Sequence, residues 1–188
     1  MGDVGVIITA TKMQLSVRSS KAERVNAVKR ALRSRDVRNA LTFIRSKGWS
    51  IDETKAEAAL HKLKDGEMLA VGFPVSDKAV LVYYEYSGNS KIKSEAKLYV
   101  LQDGRNVALE FISVNGSLPI VTTDDCGPGL VECRQCVDLD ALCAVACCSG
   151  CAWACPGLSC LLCVLITCGV LCIEYCCNEW DIYCCPTP

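Results

Sequence analysis

Cysteine is missing from the first 125 residues, charge is missing from Ala141 to Ile173, and histidine occurs once, as His61. No phosphate-cradling glycine loop, nucleophile elbow or HExxH pattern occurs, so the enzyme classes that depend on them lose their signature and no catalytic residue is assigned. Basic clustering is also missing. Residues 1–125 hold 19 Lys and Arg against 15 Asp and Glu, and residues 126–188 hold 1 against 6. Neither half has the concentrated Lys/Arg face of a nucleic-acid binder, and the acidic tail is unlike a cationic peptide that adsorbs to anionic headgroups. At the start, Asp3 precedes only a short apolar run, Val4 to Ala10, and no twin-Arg pair precedes an apolar stretch. A secretory signal of either kind is therefore not expected there.

What is present is concentrated at the other end. All 16 cysteines lie in the tail, at Cys126, Cys133, Cys136, Cys143, Cys147, Cys148, Cys151, Cys155, Cys160, Cys163, Cys168, Cys172, Cys176, Cys177, Cys184 and Cys185. Cys143, Cys147, Cys151 and Cys155 recur every fourth residue, as do Cys168, Cys172 and Cys176, so each set forms a helical stripe. Pro156 and Gly157 interrupt the charge-free run with a turn signal and divide it into two arms of helical length. The spacing predicts a disulfide-rich, all-α helical hairpin. Folding about that turn nests Cys155 with Cys160, Cys151 with Cys163, Cys147 with Cys168 and Cys143 with Cys172. A step of four overshoots a helical turn by about 40°, so two or three such rungs are expected. Spacing does not fix connectivity, since this many cysteines allow roughly two million complete pairings.

The cysteine-free half reads as α+β. Ser20 and Glu23 form a capping box, followed at helical spacing by Val25, Val28 and Leu32. After a break near Ser34 the period continues through Val37, Leu41 and Ile44 to Gly48, a C-terminal cap position. A second capping box, Ser50 with Glu53, predicts another helix with Ala56, Ala59, Leu60 and Leu63 on one face, and it places His61 on the charged surface. Short β-prone pieces precede these helices at Val4–Ala10 and Met13–Val17. From Met68 the period becomes two, and Met68–Phe73, Lys78–Tyr86, Ala96–Leu101 and Val107–Val114 predict an antiparallel meander turning at Gly88–Asn89 and Asp103–Gly104. Val80, Val82, Tyr84 and Tyr86, with Val107, Leu109 and Phe111, are expected on a face covered by the helices, with Glu85 and Glu110 on a solvated face. The chain therefore divides into a leader or immunity-like domain at 1–118, a linker at 119–130 and a cysteine-rich peptide at 131–188. Gly116, Ser117, Leu118, Asp124, Asp125, Gly127 and Gly129 mark the region where processing is expected.

Three strings carry a resemblance. DLDALC at Asp138–Cys143, GLSCL at Gly157–Leu161 and IEYCC at Ile173–Cys177 resemble the C-terminal part of halocin C8-type bacteriocin precursors. The resemblance covers about the last third of the chain; this tail carries more cysteines than the family pattern, and the chain lacks the twin-Arg export signal of the archaeal member. It implies a proprotein whose compact, cysteine-rich peptide is released from an N-terminal part that protects the producer. The implied partners are a processing protease, an exporter and a target-cell membrane or membrane protein, and also the chain's own N-terminal domain. The peptide would be secreted, with the N-terminal domain left in the cytoplasm or at the producer's membrane.

Physical chemistry points the same way. A segment of about 60 residues buries little core and persists outside cells with the help of disulfides. The competing reading is a cysteine-rich membrane-associated or metal-binding protein with no toxic role. The CxxC pairs Cys133/Cys136, Cys148/Cys151 and Cys160/Cys163 suit zinc or an iron-sulfur cluster. Their apolar surroundings and the fourfold spacing favour bridges instead, and no cofactor is assigned. Gly157–Ile173 is apolar but short for a bilayer span of about 20 residues.

Overall fold

The computed structural model describes residues 17–18, 21–63, 66–88, 92–102, 106–118, 130–140, 158–167 and 177–186. Helix α1 (Lys21–Arg33) carries Glu23 in its first turn and Arg30 and Arg33 in its last, charges that suit the helix dipole. Ser34 is extended (φ −66°, ψ 150°), and its hydroxyl accepts the Val37 N–H at 3.1 Å. It thus ends α1 and caps α2 (Arg35–Ser46). Gly48, at φ +72°, closes α2 as expected.

The expected third helix does not form. Asp52, not Ser50, caps a single 3-10 turn at Glu53–Lys55 by accepting the Thr54 N–H at 3.0 Å, and Glu57–Leu63 is a strand. Seven residue pairs with the next strand supply backbone partners along its whole length, and that ladder overrides a weak local preference for helix.

The sheet is an antiparallel meander whose strands lie side by side in chain order: β1 (Val17–Arg18), β2 (Glu57–Leu63), β3 (Gly66–Val75), β4 (Ala79–Tyr86), β5 (Ser94–Gln102), β6 (Asn106–Val114), β7 (Leu130–Asp140) and β8 (Cys177–Pro186). Seven are full-length strands, and β1 adds two residues at one edge. Strands β3 to β6 lie where the period-two reading puts them.

The coverage of the sheet differs from expectation. Helices α1 and α2 pack on the face bearing Val71, Phe73, Val75, Leu81, Tyr83 and Leu98. The face with Val80, Val82, Tyr84 and Val107 is covered instead by α3 (Leu158–Thr167), from the cysteine-rich tail. Glu85 and Glu110 stand on the α1/α2 side, where Glu110 stays exposed and Glu85 half-buried as they form surface pairs with Lys47, at 3.3 Å, and Arg30. Phe111 also moves to that side. A bulge at Leu98/Tyr99 pairs Leu98 with Phe111 and Tyr99 with Leu109, and Phe111 stacks on Phe43 with ring centroids 5.2 Å apart.

The all-α reading of 131–188 is corrected at both ends. Leu130–Asp140 and Cys177–Pro186 are strands that pair with each other in nine positions, and β7 joins the N-terminal sheet through three positions on β6. The alternation of Glu132 and Arg134 with Val131 and Cys133 has the period of a strand. Within the second expected arm, Leu158–Thr167 is helical. The first arm with Cys143, Cys147, Cys148, Cys151 and Cys155, the Pro156–Gly157 turn, and Cys168, Cys172 and Cys176 lie outside the described residues, as do Val4–Ala10, most of Met13–Val17, Ser20, Asn89, Asp103–Gly104 and residues 119–129.

Candidate functional site

Helix α3 has no charged residue, and its last turn offers its terminal carbonyls no basic side chains as hydrogen-bond donors. The sheet supplies donors instead. The Tyr84 hydroxyl donates to the Leu165 carbonyl at 2.8 Å, and His61 Nε2 lies 2.7 Å from the Ile166 carbonyl oxygen. A carbonyl only accepts, so the ring is the Nε2–H tautomer, and its Nδ1 is buried with no hydrogen-bond partner among the described residues. His61 is thus a core residue on β2, 1% exposed, and not the surface residue that a helix over 53–63 implied.

Register explains why these groups meet. Ala59, Ala70 and Tyr84 are cross-strand neighbours, His61 faces Met68, and Gly72 faces Val82, which puts a row of small residues beside two donors. Gly72 is the notch. A Cβ there would lie 2.5 Å from Leu162 Cδ1 and 2.7 Å from Ile166 Cδ1, so the helix sits directly on the strand backbone. Leu161, Leu162, Leu165 and Ile166 fill the rest of the seat against Val80, Val82, Tyr99 and Val107.

Buried and half-buried polar groups rim the seat. Tyr86 donates to Glu95 Oε1 at 2.8 Å, Lys97 Nζ pairs with Glu95 Oε2 at 2.9 Å, and Lys97 stands 5.8 Å from the Tyr84 ring centroid. Burial pushes the Tyr84 and Tyr86 phenols well above their ordinary range, so both remain protonated donors. Burial pushes the His61 imidazole down, which keeps it neutral. Chemically, the arrangement grips the carbonyl end of an apolar helix. Tyr84→Phe should leave the Leu165 carbonyl buried without its donor and destabilise the protein by about 1–3 kcal/mol, read from urea unfolding.

Of the described cysteines, Cys136, Cys163 and Cys177 pack in or against this seat. Cys133 and Cys136 are on β7, Cys160 and Cys163 in α3, and Cys177, Cys184 and Cys185 on β8. Cys136 is bridged to Cys177 across the two tail strands, with Cα atoms 5.7 Å apart, and Cys163 and Cys184 are also disulfide-bonded. The Cys136–Cys177 bridge closes a loop that contains α3. Among the described residues, no group of three or more His, Cys, Asp or Glu is placed to hold a metal. No described helix is long and apolar enough to cross a membrane.

At the expected processing region, Gly116 and Ser117 belong to a tight turn. The Val114 and Ser117 backbones exchange hydrogen bonds of 2.8 and 2.9 Å, and Asn115 and Gly116 take positive φ. Leu118 is 59% exposed, and Cys126, Asp124, Asp125, Gly127 and Gly129 lie outside the described residues.

The seat was not evident from composition. Gly72 inside an apolar strand is the one sequence signal of a close backbone approach, and the second capping box concealed His61. No protein-family model, curated protein or solved structure matches the chain.

Proposed function

We propose that the chain is the precursor of a secreted, disulfide-stabilised antimicrobial peptide of the halocin C8 type, acting on the envelope of competing cells. The segregation of all 16 cysteines into the last third carries this reading. A stapled segment joined to a cysteine-free body is what export of one part into an oxidising compartment requires. The Cys136–Cys177 bridge supports it, because cross-links of this kind stabilise by about 2–4 kcal/mol each.

In this reading residues 1–118 are a leader or immunity-like domain that keeps the apolar helix of the tail covered before release. A producer protease cuts after Leu118, within 119–130, and an exporter carries the peptide out to a membrane or membrane protein of the target cell. The buried contacts of α3 with the sheet suit such a holding role, since they hide the uncharged apolar surface that a free peptide would present.

The test is an intact mass of the tail-bearing species in the culture medium of the native host, before and after reduction and alkylation, with the isolated species then assayed for growth inhibition. A fragment of about 60 residues that takes up alkyl groups only after reduction and inhibits neighbouring cells is the expected result. Full-length protein confined to cells, with free or metal-blocked thiols, would overturn the proposal in favour of a cysteine-rich protein without a toxic role.

A further inference from the structure

Two donors hold the carbonyl end of α3, and they differ in one respect. The Tyr84 phenol does not titrate near neutral pH, whereas an imidazole ordinarily does. His61 is also the only histidine of the chain.

We propose that His61 is an acid-sensitive latch: its neutral ring holds α3 on the sheet through the Ile166 carbonyl, and protonation at the buried, unpartnered Nδ1 releases the helix. This rests on the reading of residues 131–188 as the part to be released. In the docked state Nδ1 is an acceptor with no donor among the described residues, a cost the neutral ring already carries. A proton there would create a second N–H with no acceptor and place a full charge beside Met68 and Ile166, which costs more.

Among the described residues, the neighbouring groups do not supply the missing anion. Helix α3 carries no acid. β3 presents Met68 opposite the ring, β4 presents Tyr84 and Tyr86, and β1 places Arg18 at the register of Ala59. On β5 the carboxylate of Glu95 is engaged by Lys97 and Tyr86.

The sign follows from burial. Desolvation lowers the docked ring below its ordinary value of 6.5, and the undocked ring returns towards that value. Docking is therefore at full strength above about pH 6.5 and weakens as the pH falls from there through the lowered value, by at most about tenfold per pH unit. Acidic conditions loosen the helix without any change in the covalent chain.

The full-length protein gives the test. NMR of the single imidazole reports its titration directly, and amide exchange, expressed as protection factors at about pH 7.5 and about pH 5, reports the docking of α3 and, as a control, of α2. The expected result is a ring that titrates below 6.5, with protection of Leu161–Ile166 falling several-fold at the lower pH while protection of Val37–Ile44 on the opposite face holds. His61→Gln keeps an amide N–H to reach the Ile166 carbonyl and cannot titrate, so its α3 protection should not vary with pH. If His61→Gln loses protection on acidification as the parent does, or if the parent ring titrates while α3 protection stays constant, the latch is overturned. Should His61→Gln fail to fold, the parent's ring titration and its α3-to-α2 comparison decide alone. Growth inhibition plays no part in these readouts, so failure of the latch and failure of the antimicrobial reading remain distinguishable.

Discussion

Gly72→Leu is expected to drive α3 off the sheet while leaving α1 and α2 in place. Gly72 does not need glycine for its backbone angles; it needs the absence of a side chain. Even a methyl would stand 2.5 Å from Leu162 Cδ1 and 2.7 Å from Ile166 Cδ1. Those are side-chain ends, but both residues are buried, at 6% and 2% exposure, among Ala59, Ala70, Val82 and Tyr84, so they have little room to turn aside. Extra methylenes in a packed site cost about 1–3 kcal/mol, and leucine adds four carbons where no space exists. Once α3 lifts, the Leu165 and Ile166 carbonyls also lose Tyr84 and His61. Amide exchange should show protection of residues 158–167 collapsing, with Ala40 and Ile44 of the opposite cluster still protected. Unchanged protection of α3 in Gly72→Leu would show that the helix does not depend on this notch. Gly72→Ala should fall between the two, because a single methyl can be met by a shift of the flexible ends.

The second large effect is expected at Asp36, in the first turn of α2. Its carboxylate is 1% exposed and accepts from Ser94 Oγ at 2.5 Å, Ser113 Oγ at 2.6 Å and the Gly116 N–H at 2.8 Å. Asn39 completes the junction by donating to Ser113 Oγ at 3.1 Å and to the Gly116 carbonyl at 3.2 Å. The packing there is close: a Cβ on Gly116, which also sits at φ +78°, would lie 2.8 Å from Arg35 Cδ. One side chain thus ties the start of α2 to the end of β6 and to the last turn before the expected cut. Asp36→Ala strands the buried Gly116 N–H and takes their acceptor from the Ser94 and Ser113 hydroxyls, the latter left with the Ser117 carbonyl at 3.2 Å, and should lower stability by about 2–5 kcal/mol in urea unfolding. Asp36→Asn, which keeps an acceptor oxygen, should lose less. Equal midpoints for Asp36→Ala and the parent would show that the junction contributes nothing. The arrangement also favours a body that stays folded after a cut beyond Leu118, since its last turn is fastened from within.

Much of this protein could be read from the chain alone. The break at Ser34 and the stop at Gly48 follow from capping chemistry, and β3 to β6 follow from a period of two, because both are decided by neighbours within a few residues. The confinement of cysteine to the tail is likewise a property of the sequence. Segment 53–63 folds as a turn and a strand although a capping box and a few alanines satisfy a helix locally, because its seven backbone pairs with β3 exist only once the sheet is assembled. Which helix covers which face was also beyond local pattern. Strand β4 is apolar on both sides, so its alternation shows that two faces must be covered without saying by what. Only the folded chain decided that the basic helices lie over Glu85 and Glu110, and that a charge-free helix nearly a hundred residues further along is received by Gly72, Tyr84 and His61. The physical reason is that periodicity records how often a side chain meets an apolar surface, while the partner on that surface is selected by charge, size and unsatisfied backbone groups that meet only in three dimensions.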